Sequence, residues 1–104
     1  MVYQIINLNN KKELQTNKKI IVLFTMKECP FCKLLHEGVW KLIKSKNYKE
    51  IQIFEIERSL LNKDIKEKIS GFPTIAILQS GKLIETFKKE RTFKNLDKFI
   101  LSIK

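Results

Sequence analysis

Apolar positions along the chain follow two different periods. Ile20–Thr25 (IIVLFT) is continuously apolar and rich in branched side chains, the pattern of a strand buried on both faces. Tyr3–Leu8 (YQIINL) and Ile51–Ile56 (IQIFEI) are further strand candidates. From Phe31 to Lys46 the period lengthens: Leu35, Val39, Leu42 and Ile43 recur three and four apart with lysines opposite, which predicts one long helix after Pro30. Asn62–Ile69 carries Ile65 and Ile69 at helical spacing. Phe93–Ile103 carries Leu96, Ile100 and Ile103, with Thr92 as the expected N-cap. Thr74–Leu78 and Leu83–Phe87 flank Gln79-Ser80-Gly81-Lys82, whose glycine suits a hairpin turn. Asn9–Asn17 is polar around Leu14 and reads as a short helix or turn.

The expected order is β-α-β-α-β-α-β-β-α. Strands alternating with helices predict an α/β fold, a mixed sheet with helices on both faces, its last two strands an antiparallel hairpin. With 104 residues, the chain reads as a single domain over residues 1–104, able to bury roughly 60–70% of its unfolded surface. A composition of 43% hydrophobic and 31% charged residues, with 3 Gly and 2 Pro, excludes collagen-like and disordered classes. No apolar run approaches the ~18 residues of a membrane span. Met1–Asn10 lacks the charged start and apolar stretch of a signal peptide. Two cysteines are too few to staple a secreted scaffold, so the expected compartment is the reducing cytoplasm.

A net charge of +10 raises the question of an anionic partner. The basic residues, all lysine except Arg58 and Arg91, are spread along the whole chain in pairs such as Lys11-Lys12 and Lys88-Lys89, without a long block. The phenylalanines fall at core positions instead of alternating with the lysines, unlike a single-strand nucleic-acid platform. A solvated surface is the expectation, with neither nucleic acid nor membrane as partner.

The sharpest chemical feature is Cys29-Pro30-Phe31-Cys32, between the most apolar strand and the longest helix. A helix N-terminus favours an anion through its unpaired N–H groups, and cysteines so placed have pKa values lowered to roughly 3.5–7.5. Two intervening residues let both sulfurs meet at the first turn, so the pair can cycle between dithiol and disulfide. Pro30 suits an early helical position. Cys29, nearer the loop, is expected to attack, and Cys32, one turn in, to resolve the mixed disulfide. A zinc site would need four ligands, and the chain offers two cysteines and His36. No metal or organic cofactor is expected.

With Cys29-Pro30-Phe31-Cys32 joined, about 40 residues later, by Ser70-Gly71-Phe72-Pro73-Thr74 opening a strand, the chain resembles the thioredoxin-fold superfamily of thiol–disulfide oxidoreductases over nearly its whole length. The resemblance implies a cis proline at Pro73, lying against the cysteines, with Phe72 and Thr74 offering backbone groups to an extended substrate. Pro30 and Phe31 join them as expected substrate contacts. It also implies electron transport in cell redox homeostasis, with a disulfide-containing protein as substrate, a reductase or glutathione as electron donor, and a monomeric state. Thr25–Cys32 is similar to glutaredoxins, while Gly71–Thr74 and Glu90–Phe93 are similar to thioredoxins and protein disulfide isomerase domains. Lys88-Lys89-Glu90-Arg91 stands where glutaredoxins carry the paired glycines and acid that hold glutathione. Leu23 stands where thioredoxins bury an acid that takes the resolving thiol's proton, leaving water, His36 or a substrate group for that work.

The leading expectation is a thioredoxin-like oxidoreductase acting on protein disulfides. Two alternatives stay open: a glutaredoxin working with glutathione, and a non-enzymatic basic binding module whose cysteines form a redox switch. Arg91, Trp40 and His36 are secondary candidates, read mainly as surface, packing and surface residues respectively.

Overall fold

A computed structural model describes residues 2–5, 18–46, 48, 51–61 and 63–103, with backbone alone for 2–5 and 60. The expected segment Asn9–Asn17, and the end of Tyr3–Leu8, lie outside the described residues.

Strand β2 (Ile20–Thr25) is buried at every position, as its unbroken apolar run requires. Its odd and even side chains enter different cores. Ile20, Val22 and Phe24 pack with Phe54, Ile56, Leu61, Ile65 and Ile69 on one face. Ile21 and Leu23 pack with Leu35, Trp40, Ile43, Leu96 and Ile100 on the other. Each such side chain removed from water contributes about 1.5–3 kcal/mol, so the sheet is held from both sides. It has five strands in the order β1-β3-β2-β4-β5, where β1 is Val2–Ile5, β3 Gln52–Glu57, β4 Thr74–Gln79 and β5 Lys82–Thr86. β3 runs parallel to both β1 and β2, while β4 is antiparallel to β2 and β5 to β4. The mixed α/β sheet expected from the element order is therefore present.

Helix α3 (Lys63–Lys68) covers the first face through Ile65. The second face carries α1 (Pro30–Glu37), α2 (Val39–Ser45) and α4 (Phe93–Leu101). Thr92 caps α4 as expected, its side chain accepting from the Asn95 amide at 3.2 Å. The hairpin closes on Ser80 and Gly81 with φ of 53° and 76°, two positive values that match the right-handed twist of the flanking strands.

The helix expected over Phe31–Lys46 is two helices. Gly38, with φ −110° and ψ −108°, leaves the helical region and breaks it. The buried stripe also sits differently. Cys32, Leu35, Trp40 and Ile43 face the sheet, while Leu42 is 53% exposed. Trp40, fully buried, is the largest apolar group of the segment and draws the buried face toward itself, which leaves Leu42 outside. Just beyond α2, the Tyr48 hydroxyl donates to Asp97 Oδ1 at 2.6 Å and the Lys46 ammonium to the same oxygen at 2.5 Å, tying the end of α2 to α4. These two donors hold the Asp97 carboxyl below the usual carboxylate range.

Candidate active site

Thr25 ends β2, and four residues carry the chain to α1. Among them Glu28 has φ 59°, a left-handed conformation uncommon for a residue with a side chain. The turn leaves Cys29 extended at the N-cap of α1. An N-cap side chain ordinarily supplies an oxygen to an orphaned helix amide. Here Cys29 Sγ takes that place and accepts from the Cys32 N–H at 3.1 Å. Pro30 follows at the first helical position, where a missing N–H leaves nothing unsatisfied.

Cys29 and Cys32 are joined by a disulfide, with Cα atoms 5.2 Å apart. The two sulfurs differ in access: Cys32 is buried at 4% exposure, and Cys29 is half-buried. The Phe72–Pro73 bond is cis, as the resemblance implied, and Pro73 is buried. The carbonyl oxygen of Phe72 lies 3.7 Å from Cys29 Sγ. Thr74 opens β4, its hydroxyl donating to the Gly71 carbonyl at 2.6 Å. Cys29, Cys32, Phe72 and Pro73 thus form one cluster at the end of the sheet. Pro30 is exposed beside it, and the Phe31 ring, 63% exposed, stands out into solvent.

Two hollows flank the cluster. An open groove of about 570 Å³ runs past Cys29, Pro30, Cys32, Lys33 and His36 to Glu57. A hollow of about 350 Å³ lies on the Pro73 side, bordered by Phe87, Lys88, Lys89 and Arg91. Arg91 is exposed, as expected of a surface residue, and its guanidinium also donates to the Pro73 carbonyl at 3.4 Å, which places it beside the cluster. Glu57 accepts from the Lys27 amide at 3.3 Å and from the Ser59 amide at 2.9 Å, so it ties the loop before Cys29 to the end of β3. The Ser59 hydroxyl, also bonded to it, is the main reason its carboxyl titrates below the usual range.

Sequence reasoning missed Glu55. This residue is 7% exposed, in register with Leu23 across the parallel β2–β3 pair, and its carboxylate meets His36 Nε2. Burial raises its pKa to about 7. Burial, and secondarily the charge of Lys44, pushes the His36 imidazole below its ordinary value. The signal was available: Glu55 lies between Phe54 and Ile56 in a strand with no solvent face, so its carboxylate had to find a partner inside. Trp40 is fully buried in the core beneath α2 and not part of the groove lining, in keeping with its expected packing role. Among the described residues, no group of three or more His, Cys, Asp or Glu side chains is placed to hold a metal ion. No helix among them is long and apolar enough to cross a membrane.

Comparison with known proteins gives a consistent picture. The thioredoxin family model matches residues 2–102. No curated protein sequence matches. Among solved structures, the chain is similar to the thioredoxin of Malassezia sympodialis, with TM-score 0.75, 17% identity, and coverage of 99% of this chain and 94% of that one. Reduced Schistosoma mansoni thioredoxin pre-protein gives TM-score 0.70 at 17% identity, covering 99% of both chains. The J-Trx1 fragment of ERdj5 gives 0.80 at 15% identity, covering 96% of this chain and 49% of that one.

Proposed function

The chain belongs to the thioredoxin family, and from that premise we propose that it is a thiol–disulfide oxidoreductase acting on protein disulfides, with Cys29 as nucleophile and Cys32 as resolving thiol. One observation carries the reading: a bonded sulfur pair whose accessible member caps a helix and touches the Phe72–Pro73 segment.

In the reduced protein, the Cys32 amide and the positive end of α1 favour Cys29 as thiolate, the form that attacks. Its sulfur displaces one thiolate from a substrate disulfide and becomes joined to the other half. Cys32 then loses its proton and attacks Cys29 Sγ. The Cys29–Cys32 bond forms, the second substrate thiolate leaves, and two electrons have passed to the substrate. An external dithiol, a reductase or glutathione, returns them. An extended substrate segment lies along Phe72, Pro73 and Thr74, with Pro30 and the projecting Phe31 ring as further contacts. The exposure of Phe31 and the 3.7 Å approach of Phe72 O to Cys29 Sγ support that placement. A monomer working in a reducing cytoplasm, with no bound cofactor, completes the reading.

The test is substitution of each sulfur. Cys29→Ser is expected to abolish insulin reduction with dithiothreitol as donor. Cys32→Ser is expected to accumulate a covalent mixed disulfide visible by mass spectrometry under non-reducing conditions. Undiminished reduction by Cys29→Ser overturns the proposal. Faster turnover of a glutathione mixed disulfide than of insulin would move the assignment to the glutathione-linked branch.

A further inference from the structure

The dithiol cycle proposed above requires Cys32 to lose a proton while only 4% of its surface, at the floor of the groove, is exposed. β2 offers it no acid: Ile20–Thr25 carries no carboxyl group, and Leu23, on the sheet face that also buries Leu35 of α1, is packed in the apolar core. The neighbouring strand supplies one. Glu55 pairs in register with Leu23 and projects onto the face that α1 covers. His36 is the residue of α1 that meets it. His36 follows Cys32 by one helical turn, a spacing that brings Cβ atoms to about 5–6 Å. Both residues line the same open groove, so a single water can connect the imidazole to the thiol.

Resting on the dithiol reading, we propose that the His36–Glu55 pair takes up the proton that Cys32 must release before it attacks the mixed disulfide. The buried carboxylate and the half-exposed imidazole share one site, and the imidazole connects it to the groove. The proton passes from Cys32 Sγ to the pair, the sulfur closes on Cys29, and the pair afterwards releases the proton to solvent through the groove. A titration near neutrality suits this role, since Glu55 titrates at about 7. Other charged groups surround the pair. Lys44 of α2 acts on His36. Lys27, Glu28, Lys33 and Glu57 stand around the groove. The side chains that β4 and α4 contribute to this core, Ile75, Ile77, Leu96 and Ile100, are apolar and offer no competing acceptor.

Dithiobis-nitrobenzoate separates the two steps, because each releases one coloured thiolate. Mixed with the reduced full chain, it reports attack by Cys29 as a first phase and closure by Cys32 as a second. Cys32→Ser, which keeps only the first, assigns them. Glu55→Gln and His36→Gln are expected to leave the first phase unchanged. The second should slow at least about tenfold, less than the ~10²–10⁴ of an isolated general base because water still reaches the groove. Its pH midpoint should move from near neutral toward the ordinary thiol value of about 8.5. A second phase unaltered in rate and pH profile in both variants overturns the proposal. The first phase monitors folding and the redox reading separately: if the unsubstituted protein shows no first phase, the dithiol reading falls and takes this inference with it.

Discussion

Glu55 carries a consequence for stability as well as for chemistry. Its carboxyl titrates at about 7 in the folded protein against 4.5 ordinarily. Between those values the folded state keeps a proton that the unfolded chain has released, so this group lowers stability as pH rises through the window and contributes no further change above it. His36 acts in the opposite sense: its folded pKa lies below 6.5, so its effect recovers as pH rises toward that value. Glu55→Gln removes the larger of the two shifts. The variant is expected to gain on the parent by on the order of 1–2 kcal/mol in urea unfolding between about pH 5 and pH 8, after allowing for water near the carboxylate. A stability difference that stays constant with pH would show that Glu55 is not the titrating group. At this scale the pairing of Cys29 with Cys32 was legible from residue type and spacing, and the cis bond before Pro73 from the family resemblance. The His36–Glu55 contact was not, since it depends on the register of two strands and on a helix lying across them, which no local window contains.

Elements were legible where a residue type dictates backbone geometry. Thr92 ahead of an amphipathic run and Gly81 between two apolar runs each carry a local physical signal, and both hold the positions expected. Thr92→Ala removes the bond to the Asn95 amide and is expected to cost ~1 kcal/mol. Gly81→Ala places a methyl group at φ 76° and is expected to cost about 1 kcal/mol. Urea titration of both single variants and the double variant checks this, and the losses should add because the sites share no partner. Gly38 was harder to read. A glycine inside a helical period is compatible with a continuous helix, and only the structure shows its ψ of −108° dividing α1 from α2. A Cβ there would meet the Leu34 carbonyl oxygen at 3.1 Å, so the break is also a close approach. The misplacement of Leu42 has the same root: periodicity gives a stripe, but the bulk of Trp40 decides where its centre lies.

For the molecule as a whole, a net charge of +10 on 104 residues is a store of self-repulsion. The folded chain, with a radius of gyration of 12.6 Å, is comparable in size to the ~10 Å screening length at 0.1 M salt, so modest salt weakens most of that repulsion. The urea midpoint is expected to rise as sodium chloride goes from low concentration to about 0.1 M, and then to level off. A midpoint that falls over that range would mean that the ion pairs outweigh the repulsion. Fold class was the most legible property of all, because the alternation of two apolar periods survives every error of a residue or two at an element's end.

The place of β2 in the sheet has one more consequence. It is flanked by β3 and β4 and covered on both faces, so its amides can reach solvent deuterium only when the whole domain opens. The bonded sulfurs of Cys29 and Cys32 follow the end of that strand by a four-residue turn. Isotope exchange at Ile21–Phe24 therefore doubles as a gauge of the proposed redox site: while those hydrogens stay locked in, the anchor beneath the sulfurs is intact, and when they are lost the anchor has gone with them.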